Sequence, residues 1–145
     1  MKINLYFYTG FTFDLNFMNH AGIITHPSPY AVKESIDRLQ ALLEKNGVTI
    51  YARIDQQAEL AETGQIIPPL EFILFGNPKA GGPIMIENRL AALDLPLKLI
   101  AWEDDQQKVW VAYNDASYIG QRYSLSSVLI APLDINNLIS KTLRP

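Results

Sequence analysis

A chain of 145 residues without cysteine is long enough to bury one domain core, and it excludes disulfides, thiolate metal sites and cysteine nucleophiles. Its 12 Lys and Arg against 15 Asp and Glu give a formal net charge of -3, with no basic run to follow a phosphodiester backbone, so nucleic acid is not an expected partner. His20 and His26 are too few imidazoles for a transition-metal site, so no metal or cofactor is expected, and the absence of cysteine fits a reducing, cytoplasmic setting.

The opening "MKINLYFYTGFTFDLNFMNH" is apolar, but Lys2 is its single early charge and Asn4, Thr9, Asp14 and Asn16 interrupt it. It suits neither a signal peptide nor a membrane span. Residues 1–20 read as an arm, or as a leader ahead of a true start at Met18, and residues 21–145 as a single domain.

A short strand is expected around Ile23–Thr25, then a helix capped by Ser28 with Pro29 at its first position. Val32, Ile36, Leu39 and Leu43 recur as a core-facing stripe, Lys33 and Asp37 lie one turn apart on the wet side, and Lys45, Asn46 and Gly47 supply a stop. "VTIYARID" alternates, with Val48, Ile50, Ala52 and Ile54 to one side and Thr49, Tyr51 and Arg53 to the other. "QQAELAETG" is a short helix ended by Gly64, and Pro68 and Pro69 mark a connector. "EFILF" lacks a polar face, as expected of a strand covered on both sides.

After the glycine-rich stretch, Pro83 is expected to open a helix buried through Ile86, Leu90 and Leu93. "PLKLIAWEDDQQKVWVAYND" is an antiparallel hairpin, with Glu103 expected opposite Lys108 and Trp102 opposite Val109. One face then carries Leu97, Leu99, Ala101, Trp110 and Ala112, and the other Ile100, Trp102, Val109, Val111 and Tyr113. Both are apolar, whereas such hairpins usually wet one face, so a homodimer contact through the second face of 97–113 is expected. Asp115 caps a short helix, and Ile135, Leu138 and Ile139 form the buried stripe of a last one. The whole reads as α+β: one domain with about five mainly antiparallel strands and helices packed on the sheet.

"FILFGNPKAGGPIM" at 72–85 invites comparison with a phosphate-binding loop. Gly76 and Gly81 have the right separation, but Gly82 and Pro83 occupy the positions of the required lysine and hydroxyl, so the match fails chemically. Lys79 sits inside the stretch beside Asn77, and the helix that follows offers N–H groups and a positive dipole end to an anion. The plainer alternative is that Gly81 and Gly82 permit positive torsions in a turn.

Two functions remain open. In the first, a non-catalytic dimeric module binds a small anionic metabolite through Arg53, Asp55, Asn77, Lys79, Gly81, Gly82 and Asn114, with no catalytic or metal residue. In the second, an enzyme uses Asp55, Glu103 or Asp115 as general base and Lys79 as electrostatic stabiliser. Against the second, Asp55 and Asp115 are equally read as helix caps and Glu103 as the partner of Lys108.

The ordered blocks "RID" at 53–55, "FGNPKAG" at 75–81, "LDLPLK" at 93–98, "WEDD" at 102–105 and "VWVAYND" at 109–115 resemble the domain of unknown function 302 family. The resemblance covers residues 21 to about 125. It implies a curved antiparallel sheet with helices on it, similar to the TATA-binding-protein arrangement, and association into dimers; it implies no general activity. Gln56 stands where the family typically has His, and Gly82 where Thr is frequent. Gln56 does not titrate near neutral pH, so no mechanism through that His applies here.

Overall fold

The computed structural model describes residues 20–145, together with a small antiparallel pairing of β1 (Leu5–Tyr6) with β2 (Thr12–Phe13). The expected arm or leader, with its start at Met18, otherwise lies outside the described residues. The main sheet contains β3 (Ile23–Ser28), β4 (Thr49–Asp55), β5 (Leu70–Gly76), β6 (Leu97–Glu103) and β7 (Val109–Asn114). Its order is β3-β7-β6-β5-β4, and every neighbouring pair is antiparallel. The helices are α1 (Val32–Lys45), α2 (Gln56–Glu62), α3 (Pro78–Glu87), α4 (Ala116–Arg122), α5 (Ser127–Ile130) and α6 (Asn136–Thr142). This is the α+β single domain expected from the sequence.

The stripe Val32, Ile36, Leu39 and Leu43 is buried as expected and packs α1 against Ile73, Phe75, Leu99, Ala101 and Val111 on one face of the sheet. Ile139 of α6 joins the same core. A second apolar cluster holds Ile84, Ala91, Ile119, Tyr123, Ile130 and Leu133. Leu97 packs against both clusters, so they meet at the start of β6.

α1 begins at Val32 rather than Pro29. The strand persists because Pro27 and Ser28 still lie opposite Trp110 and Val109, and the Ser28 hydroxyl bonds Ser35 Oγ at 2.6 Å and accepts from Tyr30 N at 3.2 Å instead of capping a helix at Pro29. At the other end Gly47 has φ +75, which a residue with a side chain adopts only under strain, and the helix stops there as expected.

The hairpin register differs by one residue from the expected one. Trp102 faces Trp110, and Glu103 faces Val109. The turn explains the slip: the Asp104 carboxylate accepts from Gln106 N and Lys108 N, both at 2.9 Å, while Gln107 takes φ +61. That three-residue turn displaces β7 by one position, and with period two every β7 side chain changes face. Leu97, Leu99 and Ala101 therefore share the α1 face with Val109, Val111 and Tyr113, leaving Ile100, Trp102, Trp110 and Ala112 on the open face.

β4 shows a related departure. Ile50 pairs with Phe75 and Ala52 with Leu74, so Tyr51 is an extra residue in a bulge. Beyond it the faces exchange: Ile50 and Arg53 point toward α1, whereas Ala52 and Ile54 point away. β5 is buried only at Glu71, Ile73 and Phe75; Phe72 and Leu74 stay half-buried on the open face, with the Lys98 ammonium 4.5 Å from the Phe72 ring centre. Among the described residues one face of β5 is closed, not both.

The largest correction concerns the glycine-rich stretch. It is not a turn: α3 already starts at Pro78, with Asn77 as its cap, and Pro83 lies within the helix. Ile86, Leu90 and Leu93 are exposed at 85%, 65% and 74%, and the buried contacts come from Ile84 and Ala91. α3 ends at Glu87, and after the extended Asn88 the residues Arg89–Leu93 form a separate 3-10 turn, so Ile86, Leu90 and Leu93 do not share one helical stripe.

Candidate functional site

β5 carries Phe75 and Gly76 out of the sheet directly into the Asn77 cap, where Pro78 takes the first helical position and needs no N–H partner. Asn77 Oδ1 accepts from Lys79 N at 2.9 Å, and the Asn77 carbonyl accepts from Ala80 N and Gly81 N, each at 2.9 Å. The helix end that the sequence offered to an anion, at Pro83, therefore lies inside α3, and the amides of the actual first turn are bonded to Asn77.

Beside this turn lies a partly open cavity of about 170 Å³. The ends of β4 and β5 contribute Val48, Tyr51, Phe75 and Gly76; α3 contributes Pro78, Ala80, Gly81 and Met85; Leu95, Pro96 and Leu97 and the segment Pro132, Leu133 and Ile135 close the remaining walls. Asn77 is the amide at its edge, and among the described residues Tyr51 is the one ionisable side chain in the lining. The cavity sits where the two apolar clusters meet. It is a hydrophobic receptacle with a polar rim.

Asn77 and Gly81 are therefore the two sequence-predicted site residues that line it. Lys79 is exposed on the first turn of α3, and Gly82 lies next along the helix with open space where a Cβ would be. The other three are elsewhere. Arg53 donates through Nε and Nη2 to Glu71 Oε2 at 3.0 and 2.9 Å, and through Nη1 to Asp37 Oδ1 at 2.6 Å. Its guanidinium joins α1 to β4 and β5. Asp55 caps α2 by accepting from Ala58 N at 3.0 Å, and Asn114 ends β7 opposite Ile23.

The carboxylates of the enzyme reading are dispersed. Asp55 lies opposite Glu71, and Glu103 N bonds Pro69 O, so both belong to the end of the sheet remote from Gly76, roughly 17 Å along β5. Asp115 is at the Gly76 end, but it caps α4 through Ser117 N at 3.0 Å and Ser117 Oγ at 2.8 Å. No common cleft gathers Asp55, Glu103, Asp115 and Lys79.

Sequence reasoning missed Tyr51, Met85, Leu95, Pro96, Leu133 and Ile135. The "NP" pair was a usable signal, since Asn followed by Pro is a cap and first helical residue; placing α3 there would have turned Gly81 and Met85 toward the core side. The walls are held by polar contacts. Asp94 Oδ2 accepts from Tyr123 Oη at 2.5 Å and Arg122 Nη1 at 3.1 Å just before Leu95, and this carboxylate hydrogen bond, with burial, raises the Tyr123 phenol above its ordinary value. Asn136 Oδ1, just after Ile135, lies 2.9 Å from Tyr113 Oη and 3.0 Å from His26 Nε2. Burial, then the charges of Asp134 and Asp115, push the Tyr113 phenol well up, so it stays a neutral donor.

The family model described as "Domain of unknown function DUF302" matches residues 24–142. The structure is similar to an uncharacterized conserved DUF302 protein from Bacillus stearothermophilus, with TM-score 0.71, 19% identity, and coverage of 86% of this chain and 97% of that one. At that identity the likeness concerns the fold. Proteins named fluoride-specific ion channel FluC 1 from Brucella suis biovar 1 (strain 1330) and Brucella abortus biovar 1 (strain 9-941) are each 40% identical over 105 residues, 72% of this chain. Those residues span 41% and 39% of the two relatives, so this chain matches about two fifths of their length. Among the described residues no helix is long and apolar enough to cross a membrane. With the family model covering most of the chain and a family structure of the same architecture, the chain belongs to the DUF302 family, a domain of unknown function.

Proposed function

We propose that this domain is a non-catalytic binding module, working as a cytoplasmic homodimer, whose cavity takes the apolar body of a small molecule bearing an anionic group. The observation that carries the reading is the position of the apolar cavity against the first turn of α3. Apolar walls supply affinity by excluding water, and the positive end of the helix with the exposed Lys79 favours a negative charge at the mouth. Among the described residues Tyr51 is the one ionisable lining group, with no carboxylate, histidine or lysine beside it in the lining to activate it, which favours binding over catalysis.

Dimerisation is supported by the open face of the sheet, where Phe72, Leu74, Ile100, Trp102 and Trp110 are half-buried in a single chain. An aromatic surface of this kind gains most from a second apolar surface. The Brucella relatives are named for fluoride, but this chain matches about two fifths of their length, and apolar walls do not replace the hydration shell of a small hard anion.

The test is a melting-temperature screen with short aromatic and branched aliphatic carboxylates beside their neutral alcohols. Carboxylates raising the midpoint more than the alcohols, with the difference removed by Lys79→Ala, supports the proposal. Equal shifts by both sets would remove the anionic group from it, and no shift by any would remove the cavity.

A further inference from the structure

α3 places two glycines, Gly81 and Gly82, side by side in a ten-residue helix. Mid-helix glycine is less favourable than alanine because its backbone loses more freedom on folding, and neither residue has a positive φ that would require it. Among the described residues, no backbone of another element approaches closely either. A Cβ on Gly82 would meet nothing within 4 Å, while one on Gly81 would stand 3.8 Å from Met85 Cε, one turn on in the same helix, and 4.0 Å from Leu95 Cδ1, both in the cavity lining and both at ordinary contact. Alanine would fit at Gly81 without strain. What it would remove is space.

We infer that Gly81 is the specificity-determining residue of the cavity, its missing side chain reserving room for a ligand body the size of a single six-membered ring. This rests on the reading of the cavity as the binding site. The size follows from volume: an apolar protein cavity of about 150 Å³ accepts benzene, and this one has about 170 Å³. The class follows from the walls. Phe75, Met85, Leu95 and Leu133 offer an aromatic ring, a polarisable sulfur and branched aliphatics, the surroundings in which an aromatic or compact branched aliphatic group is well packed. A long acyl chain would overrun the volume. A sugar would strand its hydroxyls against a lining whose polar groups are confined to the rim.

The experiment uses benzene, a neutral probe indifferent to Lys79, with the full chain, Gly81→Ala, Gly81→Leu and Gly82→Ala, read by amide chemical shifts of Gly76, Met85 and Leu95 and by melting temperature. Both alanine variants are expected to melt higher than the parent, showing that the helix is intact. Benzene is expected to shift those amides in the parent and in Gly82→Ala, to bind about tenfold more weakly to Gly81→Ala, and to lose binding to Gly81→Leu. Equal binding by the parent and Gly81→Ala overturns the role of Gly81 and leaves the site standing. Weakening by Gly82→Ala to the same extent would attribute the effect to the helix and also overturn it. No shift in the parent would remove the site itself.

Discussion

Arg53 and Glu71 meet across β4 and β5 with two guanidinium nitrogens on one carboxylate oxygen, Nε at 3.0 Å and Nη2 at 2.9 Å. The Glu71 side chain is 11% exposed, so it leaves water on folding and depends on this partner. Arg53→Ala strands a shielded carboxylate and is expected to cost about 2 kcal/mol in urea unfolding. Arg53→Lys keeps the charge but loses the fork, and should cost about half as much. Arg38→Ala, which removes an exposed pair with Glu34 and a contact 3.9 Å over the Tyr30 ring, should cost much less than Arg53→Ala.

Asp104 should give the hairpin a measurable acid sensitivity. Burial works to raise its pKa, but the Trp110 indole N–H and the backbone N–H groups of Lys108 and Gln106 outweigh burial and hold the carboxyl below its ordinary value. A depressed folded pKa gives stability that is fully present above the unfolded value, about 3.9, and lost as pH falls through the folded one. Asp104→Asn keeps one acceptor oxygen but turns an amide N–H₂ toward the indole 2.8 Å away. The variant should be about 1 kcal/mol less stable at pH 7, with the gap closing below about pH 4. The Asp37 carboxyl is likewise held below its ordinary value, by hydrogen bonds from Arg53 and Lys33, so the comparison is made between parent and variant at each pH.

Much of the architecture was legible because it rests on periodic burial. The α1 stripe, the Gly47 stop, the three-strand core of β5, β6 and β7 and the capping roles of Asp55 and Asp115 follow from residue type and spacing. What escaped was register and phase. One residue in αL at Gln107 and one bulged residue at Tyr51 each reversed a set of faces, and neither position carries the Gly or Asn that usually announces such geometry. The candidate site was half legible: Asn77 and Gly81 belong to the cavity rim and wall, whereas Arg53, chosen as an anion donor, is spent on Glu71 and Asp37.

Glycines in the helices should separate by what surrounds them. A Cβ on Gly120 in α4 would lie 2.5 Å from Ile130 Cδ1, and both residues are buried. Gly120→Ala is expected to destabilise by about 1–3 kcal/mol through overpacking, whereas Gly82→Ala should stabilise by about 0.5–1 kcal/mol. Thermal midpoints of the two variants in one buffer check both signs.

The open face gives a prediction about assembly. Trp102 and Trp110 lie opposite each other there, so Trp102→Glu places a charge at the centre of the proposed contact while leaving the α1 face untouched. Sedimentation should show the parent as a dimer at micromolar concentration and the variant as a monomer with unchanged secondary structure. A parent that sediments as a monomer contradicts the proposed dimer.

Pro27 in β3 and the displaced Tyr51 in β4 have a joint consequence, since these are the outermost strands of the main sheet. An approaching chain finds at one margin a residue with no N–H to offer, and at the other a ribbon bent out of step. Lateral recruitment of further strands is obstructed at both borders. The protein can therefore display an oily aromatic platform without inviting fibrillar growth along its sides.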